Sequence, residues 1–285
     1  MREIGIYSLS RLWPATVSIF NGQGQAILVN KLLGPDSNSS MAIGNSVAAH
    51  AQTLSAALSN AFNPAIVNLA GAGELDKMRD FAYRACKMST ILLLIFVIPL
   101  SLEIDEVMLL WLKTPPPLAG ELCVLMLVVS LLEKLTDGHW MSILAMGRIG
   151  KYSFVVGWSG IVALLLSWCF LGLGWGIISI GVACIITKLF EVCVRLYFGR
   201  LLAGLSFLHW IKAVLMPITV LTICSCVVGM FPRFFLSQSF LRCVITTIAV
   251  EVVMLPMVWW VILVEAERSY VIAQVRTRFK IGGVK

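Results

Sequence analysis

Apolar runs of membrane-spanning length follow one another along almost the whole chain, and glycine and proline punctuate the gaps between them. A membrane helix needs about 20 predominantly apolar residues. The runs read as eight such helices, at 5–33, 42–70, 84–112, 119–146, 152–172, 176–200, 211–231 and 239–264. Gly34-Pro35-Asp36 ends the first, Gly71-Ala72-Gly73 the second, Pro115-Pro116-Pro117 precedes the fourth, and Gly172-Leu173-Gly174 turns the fifth into the sixth. The fold class is therefore all-α, a polytopic membrane helix bundle. Composition agrees: 59% hydrophobic and 13% charged, with a mean hydropathy of +0.91, against about half apolar and about a quarter charged in soluble domains. Arg11 and Pro14 interrupt the one N-terminal stretch that resembles a secretory signal, so the first helix is expected to serve as its own insertion signal.

The net charge of +7 is a topology signal and does not imply a nucleic-acid partner. Alternate helix ends hold Arg2, then Lys77, Arg79, Arg84 and Lys87, then Arg148 and Lys151, then Arg195, Arg200 and Lys212, then the tail arginines and lysines from Arg268 on; the opposite ends hold Lys31, Lys113, Arg233 and Arg242. Positive loops stay in the cytoplasm. Both termini are thus expected there, in a cytoplasmic (inner) membrane, with Glu103, Asp105 and Glu106 outside. The eight cysteines read as small thiols in helices, not a disulfide framework. The tail spaces Val271, Ile272, Val275 and Phe279 at helical intervals among basic residues. That suits either a surface helix on anionic lipid or a disordered topology anchor.

The first span is too polar to face lipid. Ser18, Asn21, Gln23 and Gln25 lie at membrane depth, and Arg11, Pro14, Ser18, Asn21 and Gln25 share one quadrant of a helical wheel. The second span repeats the design. Asn45 and Ser46, Gln52 and Thr53, and Ser59 and Asn60 recur every seven residues, and Asn63 continues the stripe. Polar groups at this depth line a cavity or bond across helices. Two neighbouring stripes make one wall of a hydrated cavity, with Arg11, Asn21, Gln25, Asn45, Gln52 and Asn63 as candidate substrate-binding residues. Arg11 is placed either to pair with phosphate or carboxylate or to snorkel to the interface.

Deeper charges sit in the fourth and sixth spans. Lys134 and Asp137 are three apart, as are Lys188 and Glu191, and such pairs meet on a helix. Glu133 accompanies the first pair, and Glu251 stands alone in the eighth span. These are either neutral pairs that hold the bundle together or coupling sites, with Glu133, Asp137 and Glu191 as ion-coupling candidates. His50, His139 and His209 lack metal-ligand spacing. No phosphate loop, dinucleotide fingerprint or nucleophile–base spacing stands out, so neither an enzyme nor a cofactor is expected.

Gln25-Ala-Ile-Leu-Val-Asn30-Lys-Leu-Leu-Gly34-Pro35 resembles the helix that opens the second lobe of Wzx-like polysaccharide flippases, of the superfamily shared with multidrug and toxin extrusion exporters. Ala61-Phe62-Asn63-Pro64-Ala65-Ile66, Ile98-Pro99-Leu100, Trp111-Leu112 and Gly147-Arg148-Ile149-Gly150-Lys151-Tyr152 follow in the family's order. The resemblance covers roughly residues 1–215. It implies a six-helix second lobe at 1–205, two additional membrane helices at 206–265 and a basic cytoplasmic tail at 266–285. It also implies passage of a lipid-linked oligosaccharide from the inner to the outer leaflet, as in lipopolysaccharide and other polysaccharide biosynthesis, by alternating access between two lobes. The first lobe has no counterpart, so the chain is expected to be a truncated or split form, completed by an N-terminal lobe or a second copy. The competing expectations are a cation-coupled multidrug exporter and a non-transporting membrane scaffold or inactive remnant.

Overall fold

The computed structural model describes residues 2–147, 149–263, 265, 268 and 269, without the side chains of 2–11 and 261. Among them there is no strand. The helices are α1 (Arg2–Leu33), α2 (Pro35–Gly71), α3 (Leu75–Leu102), α4 (Ile104–Leu112), α5 (Ala119–Lys134), α6 (Asp137–Ala145), α7 (Gly150–Gly172), α8 (Ile178–Ala203), α9 (Phe207–Trp210), α10 (Met216–Phe235) and α11 (Phe240–Met257). A π-turn at Ile211–Leu215 joins α9 to α10, and another at Val258–Ile262 prolongs α11.

Four helical stretches are long and apolar enough to cross a membrane: Leu75–Leu102, Gly150–Gly172, Phe207–Phe235 and Phe240–Trp260. The eight expected spans exceed these four. The difference has local causes: amides and hydroxyls lower the hydropathy of α1 and α2, α8 carries Lys188, Glu191, Arg195 and Arg200, and α5 is only 16 residues long. Two expected spans are also broken. The stretch read as 84–112 begins earlier, at Leu75, and breaks at Glu103; the one read as 119–146 breaks at Leu135-Thr136. Pro14 and Pro64 sit inside unbroken α1 and α2, whereas the π-turn lies immediately before the turn that carries Pro217.

Helix packing closes two groups. α1 lies on α7, α7 on α8, α8 on α5, α5 on α2 and α2 back on α1, a ring of five. Small residues allow the close approaches that membrane helices use. On α7, a methyl group at Gly157 would fall 2.0 Å from the Trp13 indole nitrogen, and one at Gly160 would fall 2.7 Å from Val17. α2 turns a face of small residues inward, including Ser40, Gly44, Ala48, Ala51, Ser55 and Ser59. The second group stacks α3, α6, α10 and α11 beside the ring around Met78, Ala82, Leu94, Met141, Val214 and Leu221. Gly138 of α6 meets α3 so tightly that a β-carbon there would lie 1.9 Å from the Ala82 carbonyl oxygen.

The last hairpin is pinned by Glu103. This carboxylate is 2% exposed and fills the α3–α4 break. Arg242 donates to one of its oxygens from Nε at 3.0 Å and Nη2 at 2.7 Å, and Thr246 donates to the other at 2.9 Å. Glu103 is thus packed between helices and not free in a loop.

Candidate functional site: a polar cavity inside the helix ring

The five-helix ring lines a half-open cavity of about 440 Å³. α1 lines it with Pro14, Ser18, Asn21, Gly22 and Gln25, and α2 reaches it with Asn45. α5 contributes Glu133, α7 contributes Ser159 and Gly160, and α8 contributes Cys184, Thr187, Lys188, Glu191 and Arg195. Ser18, Gly22 and Asn45 are also exposed.

Charge concentrates on the α5–α8 wall. Lys188 Nζ lies 2.7 Å from Glu191 and 3.7 Å from Glu133. Ser159 of α7 donates to the other Glu191 oxygen at 2.6 Å. Gln52 of α2 donates to Ser130 at 3.0 Å and reaches Glu133 at 3.5 Å. Arg195 Nη1 donates to the Glu133 main-chain carbonyl at 3.2 Å and approaches the Thr136 hydroxyl at 3.4 Å, while its Nη2 stays 3.6 Å from the Glu133 carboxylate. Two cations and two carboxylates alternate, so the wall is neutral in sum. Bringing charge into low dielectric is tolerated only with such pairing.

The α5–α6 break organises this wall. A helix end leaves carbonyls unsatisfied and carries partial negative charge. Here Arg195 takes the Glu133 carbonyl, and Trp210, from the far side of the bundle, takes the Leu135 carbonyl with its indole N–H at 2.9 Å. The N-terminus of α6 has the opposite polarity and begins with Asp137. Asp137 pairs with Lys134 at 3.3 Å and accepts from Ser59, which also meets Ser89. The break therefore sends Glu133 into the cavity and folds Lys134 and Asp137 into a separate buried cluster.

The sequence-derived candidates divide accordingly. Asn21, Gln25 and Asn45 line the cavity with Glu133 and Glu191. Gln25 is already engaged, donating to Ser167 of α7 at 3.1 Å. Gln52 stands behind Glu133 and is not part of the lining. Asn63 is exposed on α2, away from the cavity, with Ser46, Thr53 and Asn60. Asp137 belongs to the other cluster. The side chain of Arg11 lies outside the described residues, as does nearly all of the basic tail. Lys188 and Arg195 stand out in the sequence for their spacing, not as site residues; Ser159 carries no signal because α7 is apolar around it, and Thr187 gives none of its own beside Lys188. Among the described residues no three His, Cys, Asp or Glu side chains gather as metal ligands.

Two buried polar atoms at the cavity have no hydrogen-bond partner, Asn21 Oδ1 and Arg195 Nε. One is an acceptor and the other a donor. No protein-family model matches the chain, and neither a curated protein nor a solved structure does.

Proposed function

We propose that the chain is a membrane transport bundle of the polysaccharide-flippase type, passing the polar head of a lipid-linked oligosaccharide from the inner to the outer leaflet of the cytoplasmic membrane. The observation that carries this reading is the polar, charge-lined cavity within a helix ring of a strongly apolar chain. A bundle built only to pack would fill such a volume, since interiors are close-packed. Polar linings at membrane depth are retained where a polar passenger needs them. Asn21 and Asn45 offer amides to sugar hydroxyls, and the eight-span arrangement with both termini in the cytoplasm supplies a path across the bilayer. The exposed polar face of α2, with Asn45, Ser46, Thr53, Asn60 and Asn63, is then covered by a second bundle, because lipid cannot satisfy these groups.

The test is export in cells that depend on this chain. Asn45 is exposed and lines the cavity, so Asn45→Trp can place an indole in the opening without disturbing the packed ring. Export of surface polysaccharide should fall while the amount of protein in the membrane stays level. Full export by this variant would sink the proposal.

The sharing of Lys188 between Glu133 and Glu191 favours a second reading, a cation-coupled multidrug exporter in which either carboxylate takes up the coupling ion. Drug-dependent proton release from reconstituted protein separates it from the first.

A further inference from the structure

We propose that Arg195 forms an oxyanion site in the cavity, accepting a phosphate or carboxylate group on the Nε–Nη2 edge of its guanidinium. The inference rests on the cavity being a passage for a polar ligand.

Arg195 is 6% exposed and lines the cavity. Its Nη1 is committed to the Glu133 carbonyl and the Thr136 hydroxyl, and these contacts fix the plane of the guanidinium. The opposite edge carries no comparable hydrogen bonds. Nε is buried with no partner, and Nη2 approaches the Glu133 carboxylate at 3.6 Å, beyond hydrogen-bond reach; the Tyr152 hydroxyl also faces the guanidinium. The Nε and Nη2 protons point in parallel, the geometry that holds both oxygens of a carboxylate or phosphate. The same molecule shows the edge in use: Arg242 gives Nε and Nη2 to one carboxylate oxygen of Glu103 at 3.0 and 2.7 Å. A buried guanidinium with its bidentate edge unused is an unfilled demand, since an orphaned buried donor costs about 1–3 kcal/mol.

The surroundings set the chemistry of the occupant. Glu133 and Glu191 balance Lys188 and Arg195, and Tyr152 of α7 interacts electrostatically with the guanidinium. An oxyanion on the free edge replaces the loose approach of Glu133, which keeps Lys188 and Gln52 as partners. Asn21 Oδ1, the other orphan in the same lining, asks for a donor. A hydroxyl-bearing oxyanion meets both demands, and it could come from a soluble phosphate ester or from the head of a lipid.

The measurement is thermal unfolding of the purified full chain in an uncharged detergent, with two probes that share a head. Glycerol phosphate is the soluble source, and lysophosphatidic acid the lipid one, with lysophosphatidylcholine as control. Saturable stabilisation by either acidic probe and not by the control is expected, and the more potent probe identifies the source. Arg195→Lys keeps the charge and loses the fork, so half-saturation should rise by about tenfold or more. Because that change also loosens the end of α5, Glu133→Gln is the second variant. It leaves the main-chain contacts of Arg195 intact, removes the competing carboxylate and should tighten binding. No shift with either probe, an unchanged response in Arg195→Lys, or weaker binding in Glu133→Gln overturns the site. Its failure leaves the passage reading standing, because the Asn45→Trp export assay needs no anion site.

Discussion

Trp210 donates its indole N–H to the Leu135 carbonyl at 2.9 Å, so the first turn of the C-terminal hairpin closes a helix break that lies next to the cavity. The indole is 4% exposed. Trp210→Phe keeps most of the packing and leaves the carbonyl unsatisfied. Its expected cost is about 1–3 kcal/mol, measured by denaturant unfolding in mixed micelles. Unchanged stability would mean that the break holds without Trp210.

The Glu103–Arg242 pair is buried and held by two hydrogen bonds to one carboxylate oxygen, and removing one partner leaves the other's buried charge undercompensated. Arg242→Ala is expected to lose about 3–5 kcal/mol, whereas replacing both residues by leucine recovers most of that loss. Comparing the single and double variants in one unfolding series checks this. Equal losses would show that packing, not the stranded charge, sets the penalty.

Gly138 has no room for a methyl group, because the nearest obstacle is the Ala82 main chain and not a flexible side chain. Gly138→Ala should therefore destabilise by at least the about 1–3 kcal/mol typical of overpacking. The yield of folded protein and its melting temperature report it. Gly71, with nothing within 4 Å of its added β-carbon, is the control position.

Cysteine chemistry reads out the water content of the cavity. Thiol reagents act on the thiolate, which needs a polar surrounding. Cys184 lines the cavity. Cys169 and Cys193 are exposed on the helix surface, and Cys86 is buried against His139 and Gly138. In membranes, a charged methanethiosulfonate reagent should modify Cys184, while Cys86 stays unmodified until the protein unfolds. Peptide mapping after labelling gives the answer, and a Cys184 that resists the charged reagent would argue for a dry cavity.

How much was legible in the sequence follows from the range of each interaction. Lys188–Glu191 was readable as a pair because three-residue spacing on a helix brings side chains together wherever the helix goes; Lys134–Asp137 has the same spacing but meets across the α5–α6 break. The chain breaks at Gly34-Pro35 and Pro115–Pro117 were readable because those residues act on their own backbone. The break at Leu135-Thr136 was not. Neither residue disrupts a helix, and it is Arg195 and Trp210, 59 residues from Thr136 and 75 from Leu135, that occupy the carbonyls and hydroxyl there. The heptad stripe of α2 was also visible, yet it does not face one way: Gln52 and Ser59 turn to α5 and α6, while Asn60 and Asn63 are exposed.

By itself, then, the sequence determined a helical, membrane-embedded chain, the principal punctuation between its helices and the presence of polar groups too costly to leave in lipid. Each of these depends on local covalent chemistry and on the hydropathy of a single segment. Which polar groups share a cavity was decided only by the tertiary structure. A helix's periodicity orders its own faces but carries no information about how that helix is rotated against its neighbours. That rotation sets Glu133, Lys188, Glu191 and Arg195 on one wall, draws Asp137 into another cluster, and leaves Arg195 Nε without a hydrogen-bond partner.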